Sequence, residues 1–174
     1  MSPRHAAWVF VAGVALAGCA SAGAPRPSPF PEPASKPNIY PAPLDPKVNS
    51  FSTSTFLAAA QQLRGVPYQL GGDSPKTGFD CSGYTKYVFG LYRIQLPRTV
   101  IEQFRAGKPA GTVIRPGDLL FFRMAGPKSP VSHVALALSA EEFIHSPGAD
   151  GVVRSEKLSS PYWRSRFVAA RRIL

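Results

Sequence analysis

The chain has 174 residues, a length that fits one compact domain with extensions. It carries 20 Lys and Arg against 10 Asp and Glu, and the stretch from residue 51 onward keeps 16 basic and 8 acidic residues. This charge favours polyanions, anionic lipid headgroups or carboxylate-rich polymers. The basic residues are scattered and form no recognisable nucleic-acid module, which argues against nucleic acid as a partner.

The first predicted element is a short apolar segment that follows Arg4 and His5 and runs over residues 6–17. It is too short to span a bilayer as a helix, but it has the length of a secretory signal core. It ends in the sequence LAGC at residues 16–19, which resembles the lipobox of bacterial lipoproteins. That resemblance implies a signal peptide over residues 1–18 and diacylation of Cys19. An ordinary signal peptide with an incidental cysteine is the alternative.

Residues 19–50 are predicted to be the lipidated cysteine and a tether. Nine of the 19 prolines lie between residues 25 and 46, a composition typical of a semi-extended linker. Ala20, not an acidic residue, follows Cys19. By resemblance to lipoprotein sorting in Gram-negative bacteria, this implies an anchor in the outer membrane, facing the periplasm.

The folded domain is predicted to occupy residues 51–174. Its first helix has an apolar stripe at helical spacing, formed by Phe56, Ala59, Ala60 and Leu63. Ser54 is expected to cap this helix and Gly65 to end it. Thr99 and Glu102 have the spacing of a capping box for a later short helix that ends before Gly107.

Between these two helices, another is predicted to begin at Cys81, because Asp80 is a favourable N-cap residue. Its apolar stripe is formed by Tyr84, Tyr87, Val88 and Leu91. The sequence predicts strands over residues 118–122, 132–139, 142–146, 152–156 and 167–173. Helices followed by strands indicate an α+β fold with an antiparallel sheet.

Cys81 is the candidate nucleophile. If Cys19 carries lipid, Cys81 is the one thiol left. Such a thiol is either an inert buried side chain or a catalytic nucleophile. The start of a helix is expected to lower the pKa of the thiol. Gly83 is expected to let a substrate backbone approach the sulfur.

The candidate bases are His133 and His145, since His5 is lost with the signal peptide. His133 shares a strand face with two small residues, Ala135 and Ala137, and this face is expected to receive the cysteine helix.

A three-residue turn would pair Leu138 with Glu142 and place His145 opposite Ala135. The two imidazoles then lie on one face as diagonal neighbours, roughly 7–8 Å apart, whereas a two-residue turn would place them on opposite faces. The three-residue turn fits a Cys–His–His triad. Structural histidines and a Cys–His–His zinc site are alternatives, although the positions are too dispersed for usual zinc-ligand spacing.

Six segments together resemble the NlpC-like family of bacterial murein peptidases, in that family's order and with similar spacing. They are GVPYQLGG (65–72), TGFDCSG (77–83), LPRT (96–99), RPGDLLFF (115–122), SHV (132–134) and FIH (143–145). The resemblance implies a papain-like α+β fold with the cysteine helix packed on an antiparallel sheet. It also implies hydrolysis of amide bonds in murein stem peptides or their crosslinks, such as D-glutamyl-γ-meso-diaminopimelate.

By position, the resemblance makes Cys81 the nucleophile, His133 the general base and His145 the third polar residue. Tyr68 matches a tyrosine that lines the site and helps to hold the oxyanion, together with the backbone N–H of Cys81.

Asp80 and Ser82 match residues that bind the free amine of a stem peptide in some members, and Arg98 is a candidate for binding a substrate carboxylate. Helix capping explains Asp80 equally well, and a structural ion pair explains Arg98 at least as well.

The sequence therefore predicts a monomeric peptidoglycan endopeptidase that acts through a thioester and uses no metal or other cofactor. Two alternatives stay open. One is a papain-like amidase or acyltransferase with another acyl substrate, and the other is a non-catalytic lipoprotein that binds murein.

Overall fold

The computed structural model of the chain describes residues 52–148 and 151–174. The predicted signal peptide, Cys19 and tether lie outside the described residues. Within the described ranges, no helix is both long and apolar enough to cross a membrane. The helices are α1 (Thr53–Gln62), α2 (Cys81–Gly90), α3 (Val100–Arg105) and α4 (Pro161–Arg164).

The strands are β1 (Asp73–Ser74), β2 (Gly78–Phe79), β3 (Lys108–Pro109), β4 (Leu119–Phe122), β5 (His133–Ala137), β6 (Glu142–His145), β7 (Arg154–Lys157) and β8 (Phe167–Arg172). Strands β1 and β2 form a small hairpin. The other six form one antiparallel sheet in the order β3-β8-β4-β5-β6-β7. The predicted α+β class with an antiparallel sheet is confirmed.

The helix starts follow local capping chemistry. Asp80 caps α2, with its Oδ1 accepting the backbone N–H of Gly83 at 2.7 Å. Thr99 and Glu102 form the predicted capping box of α3. The expectation for α1 is wrong by two residues, since Ser52 occupies the N-cap position and Ser54 lies within the first turn.

Two clusters of buried apolar side chains lie on opposite faces of the central strands. Tyr84 and Val88 of α2 pack in the cluster that contains Val134 and Leu136 of β5. The second cluster contains Ala135, Ala137, Phe122, Phe143 and Trp163. Side chains alternate between the faces of a strand, so α2 and Trp163 cover opposite faces of β5.

The expectation that the small-residue face of β5 receives the cysteine helix is therefore wrong. Small alanines at positions 135 and 137 leave room for the large indole of Trp163, which is 5% exposed. The helix α2 brings its own aromatic and branched side chains to the bulkier face instead, where they pack against Val134.

Candidate active site

Cys81 is the first residue of α2 and the free cysteine of the described residues. The Asp80 carboxylate caps the start of the helix. The loop that contains Gly72 packs closely against its first turn at Gly83. A Cβ added at Gly83 would lie 2.0 Å from the carbonyl oxygen of Gly72. Gly83 therefore serves the packing of the loop against α2, which corrects the expectation that it opens a path for substrate.

The environment of the thiol is less activating than the helix start suggests. Burial raises the pKa of Cys81 to about 11, and the charge of Asp80 adds to this rise. Hydrogen bonds from the backbone N–H groups of Val134, Ser82 and Cys81 itself lower the pKa but do not offset burial. The expected lowering by the helix start is thus outweighed by desolvation. With a pKa of about 11, the thiol is expected to be neutral at pH 7.

The two histidines meet through the register of β5 and β6. Leu136 pairs with Ile144, and the N–H of Leu138 donates to the carbonyl oxygen of Glu142 at 2.8 Å. This is the register predicted from the three-residue turn, and it is confirmed. The Nε2 atom of His133 lies 2.8 Å from the Nδ1 atom of His145. We call this pair the dyad.

The dyad is buried and neutral. His133 is 4% exposed and His145 is fully buried. Burial lowers the pKa of His133 to about 4. Burial also lowers the pKa of His145, followed by the charges of His133 and Arg154. Both rings are therefore uncharged near neutral pH, so His133 can accept a proton there.

The dyad and the thiol are linked through consecutive residues of one strand. His133 is the first residue of β5, and the next residue, Val134, turns its N–H to the Cys81 sulfur. Because Nε2 of His133 is engaged with His145, its Nδ1 is the nitrogen left to receive a thiol proton. The described residues form no direct hydrogen bond between Cys81 and His133, so their contact has to tighten for chemistry.

Asp80, Ser82 and Arg98 come together in one network. The Asp80 carboxylate accepts hydrogen bonds from Nη2 of Arg98 at 2.6 Å and from Nη1 at 3.0 Å. Nη1 of Arg98 also donates to the hydroxyl oxygen of Ser82 at 3.0 Å. The Ser82 hydroxyl and the N–H of Gly71 donate to the same carboxylate.

Burial alone would raise the pKa of Asp80, but hydrogen bonds from Arg98 and Gly83 hold that pKa below its usual range. The carboxylate is thus an anion already supplied with donors inside the protein. This geometry favours the capping and ion-pair interpretation over amine binding by Asp80. A role of the three residues in substrate binding stays a prediction.

Tyr68 lies at the edge of the thiol site. Its side chain is half-buried, and its backbone N–H donates to the carbonyl oxygen of Gly151 at 2.8 Å. Burial raises the pKa of its phenol, with further increases from the charges of Cys81 and Asp80. The phenol is therefore within electrostatic reach of the sulfur, while its predicted oxyanion role stays a prediction.

Sequence reasoning missed Trp163, which lies between the dyad and a cavity of about 480 Å³. Its indole stacks on His133 at 5.8 Å between ring centroids, and its plane is nearly perpendicular to that of His145, with 4.9 Å between those two centroids. The available signal was Ser160 followed by Pro161, which caps and starts the one-turn helix α4. Met124, Pro147, Arg154 and Tyr162 are among the other residues that line the cavity.

The described residues contain no group of three or more His, Cys, Asp or Glu side chains arranged to hold a metal ion.

Comparison with known proteins gives consistent matches over this domain. The sequence model of the NlpC/P60 family matches residues 65–172. Gamma-DL-glutamyl hydrolase of Bacillus subtilis (strain 168) is 38% identical over 126 residues, which cover 70% of this chain and 30% of that protein. Murein DD-endopeptidase MepS/Murein LD-carboxypeptidase of Escherichia coli (strain K12) is 40% identical over 113 residues, which cover 64% of this chain and 57% of that protein.

The chain therefore spans only about a third to just over half of the length of these two relatives. Among solved structures, an NlpC/P60 family protein from Bacillus cereus ATCC 10987 matches with a TM-score of 0.66 and 31% identity. That match covers 71% of this chain and 40% of the other.

Proposed function

Because the chain belongs to the NlpC/P60 family, we propose that it hydrolyses amide bonds of peptidoglycan stem peptides or crosslinks, with Cys81 as nucleophile and His133 as base. The observation that carries this proposal is the buried dyad, in which Nε2 of His133 lies 2.8 Å from Nδ1 of His145. The residue that follows His133 in β5, Val134, donates its backbone N–H to the Cys81 sulfur. The names of the two relatives, a glutamyl hydrolase and a murein endopeptidase, support the substrate class.

The first half of the reaction forms a thioester. The sulfur of Cys81 attacks the amide carbonyl carbon while the thiol proton passes to Nδ1 of His133. Since the thiol pKa is about 11 and that of His133 about 4, this transfer accompanies C–S bond formation and does not precede it. The tetrahedral intermediate then breaks its C–N bond, and the His133 imidazolium gives its proton to the leaving amine.

The second half releases the product. Water attacks the thioester carbon and gives a proton to His133. The C–S bond of the tetrahedral intermediate then breaks, the carboxylic acid is released, and the His133 imidazolium returns the proton to the sulfur, which restores the thiol. The oxyanion formed in each half is stabilised by the backbone N–H of Cys81 and the hydroxyl of Tyr68. His145 holds the His133 ring in place through the hydrogen bond between their nitrogens.

The test is digestion of purified peptidoglycan by the full chain, followed by mass spectrometry of the released fragments. We expect new fragments cut at an amide bond of a stem or crosslink, and loss of these fragments with Cys81→Ala. D-Glutamyl-γ-meso-diaminopimelate is the bond to examine first. Binding of murein without hydrolysis by the unmutated protein would contradict the proposal and favour a binding lipoprotein, whereas transfer of an acyl group to another amine would favour an acyltransferase.

We propose in addition that Cys19 is diacylated and anchors the protein in the outer membrane, facing the periplasm. Support comes from the apolar segment followed by LAGC at residues 16–19, and two acyl chains give a stable anchor. In cells, mass spectrometry of the N-terminal peptide is expected to show two acyl chains on Cys19, and Cys19→Ala is expected to lose this added mass. A mature protein without acyl chains on Cys19 would contradict the anchor.

A further inference from the structure

Among the aromatic side chains of the described residues, Trp163 makes ring contacts with both imidazoles of the dyad. Its ring is nearly parallel to His133, at an interplanar angle of 26°, and nearly perpendicular to His145, at 88°. The indole is 5% exposed and lies in the cluster with Phe122 and Phe143. Trp163 lies within α4, and the hydroxyl oxygen of the N-cap residue Ser160 accepts the backbone N–H of Trp163 at 3.4 Å.

The proposed chemistry fixes where the protons of the neutral dyad must be. For Nδ1 of His133 to accept the thiol proton, the ring hydrogen of His133 must be on Nε2. That N–H then donates to Nδ1 of His145 across 2.8 Å. The Nδ1 atom of His145 must therefore be an acceptor, and the hydrogen of His145 must be on its Nε2.

That last hydrogen has no conventional acceptor. Nε2 of His145 is buried and has no hydrogen-bond partner among the described residues. A buried N–H without an acceptor is destabilised, so the tautomer needed for catalysis would be disfavoured if nothing compensated it. The near-perpendicular rings beside His145 supply an alternative, because the face of an aromatic ring carries partial negative charge and accepts N–H groups.

Of the two aromatic neighbours, Trp163 is the better candidate. Its centroid lies 4.9 Å from that of His145 at 88°, whereas Phe143 lies at 5.1 Å and 73°. The indole is also the more electron-rich ring. With the indole face toward Nε2, a lone pair on that nitrogen would meet the negative side of the ring, so such a contact would disfavour the unproductive tautomer.

We propose that Trp163 is a positioning residue that selects the tautomer of the dyad. Its indole face accepts the Nε2 hydrogen of His145, which leaves Nδ1 of His145 to accept from His133 and Nδ1 of His133 free for the thiol proton. Stacking on His133 holds the first ring in the same orientation. This inference rests on the proposed role of His133 as the base.

The test begins with the unmutated full chain labelled with ¹⁵N at histidine. Nitrogen chemical shifts assign the tautomer of each ring near pH 7, without any substrate. We expect His145 to carry its hydrogen on Nε2 and His133 to do the same. A hydrogen on Nδ1 of His145 would overturn the proposal, and this result needs no variant to fold.

Variants then connect the tautomer to the indole. Trp163→Phe retains an aromatic face and should keep the tautomer, whereas Trp163→Leu removes it. We expect the productive tautomer and kcat to fall about two- to fivefold in Trp163→Leu, the range of a weak N–H···π contact, with KM unchanged. Phe167→Leu is the matched control, because it removes a ring that contacts Phe122 in the same cluster but makes no ring contact with the dyad among the described residues.

An unchanged tautomer in folded Trp163→Leu, or an equal loss in Phe167→Leu, would overturn the proposal. Failure of the proposed function gives a different pattern. In that case the tautomers respond to Trp163 as expected, but peptidoglycan is not cut by any form of the protein.

Discussion

Replacing Asp80 by alanine tests whether this carboxylate stabilises the site or serves substrate. The carboxylate accepts five hydrogen bonds, two of them from Arg98 and the others from Gly71, Ser82 and Gly83. Losing an N-cap costs about 1 kcal/mol, and losing charge-assisted bonds costs about 1.5–3 kcal/mol. The Arg98 side chain is 34% exposed, so water recovers part of the second loss. We expect a net loss of about 2–3 kcal/mol.

The assay is urea unfolding at pH 7, with kcat and KM measured on the same preparations. Asp73→Ala is the matched control, because its ion pair with Lys86, at 3.3 Å, has side chains 49% and 38% exposed and should contribute less than about 1 kcal/mol. If Asp80→Ala costs no more than the control and raises KM alone, the structural interpretation is refuted, and amine binding by Asp80 explains the result.

Three further predictions concern α2, the dyad and the thiol. Gly83→Ala forces its Cβ against the Gly72 carbonyl oxygen, which should lower the free energy of unfolding in urea by about 1–3 kcal/mol. Gly90→Ala, whose Cβ meets nothing within 4 Å, should instead raise it by up to about 1 kcal/mol. In the unmutated protein, the free energy of unfolding should fall by about 3 kcal/mol more between pH 6.5 and pH 4 than it falls in His133→Gln. The reason is that His133 takes up a proton near pH 6.5 in the unfolded chain but only near pH 4 in the folded chain. The rate of Cys81 alkylation by iodoacetamide should rise with pH toward about 11.

Each of these predictions has a result that contradicts it. Equal stabilities of Gly83→Ala and Gly90→Ala would show that the loop does not press on α2. A pH dependence unchanged by His133→Gln would mean that His133 is not buried in its neutral form. An alkylation rate that reaches its plateau below pH 7 would show that the thiol rests as a thiolate, paired with an imidazolium.

Features of the fold that depend on nearby residues were predictable from the sequence. Asp80 and the Thr99–Glu102 pair cap their helices as their spacing indicates. The register that forms the dyad was open between a two-residue and a three-residue turn, and the Cys–His–His triad favoured the second, because register fixes which side chains share a face. The observed pairing of Leu136 with Ile144 follows from the three-residue turn.

Features that depend on packing between distant segments were not predictable. The alternation of side chains along a strand placed His133 on one face with Ala135 and Ala137, but it does not say which element covers that face. Trp163 covers it, and Trp163 lies 26 residues after Ala137 in the chain. The thiol pKa was missed for the same reason. A helix start is visible in the sequence, whereas the burial that raises the pKa of Cys81 comes from the tertiary fold.

The role of Arg98 was open for a related reason. An arginine that serves a substrate and one that serves a carboxylate within the protein look alike in sequence. Only the fold brings Arg98 to 2.6 Å from an Asp80 oxygen, 18 residues earlier in the chain.

The most direct test of Cys81 as the nucleophile is capture of the acyl-enzyme. The full chain is mixed with a stem peptide, quenched in acid within milliseconds to seconds, digested and analysed by mass spectrometry. We expect a transient mass increase equal to the acyl half of the substrate on the peptide that contains Cys81, removable by hydroxylamine and absent in Cys81→Ala. Hydrolysis that continues in Cys81→Ala, with no adduct on the native protein, would contradict the nucleophilic role of Cys81.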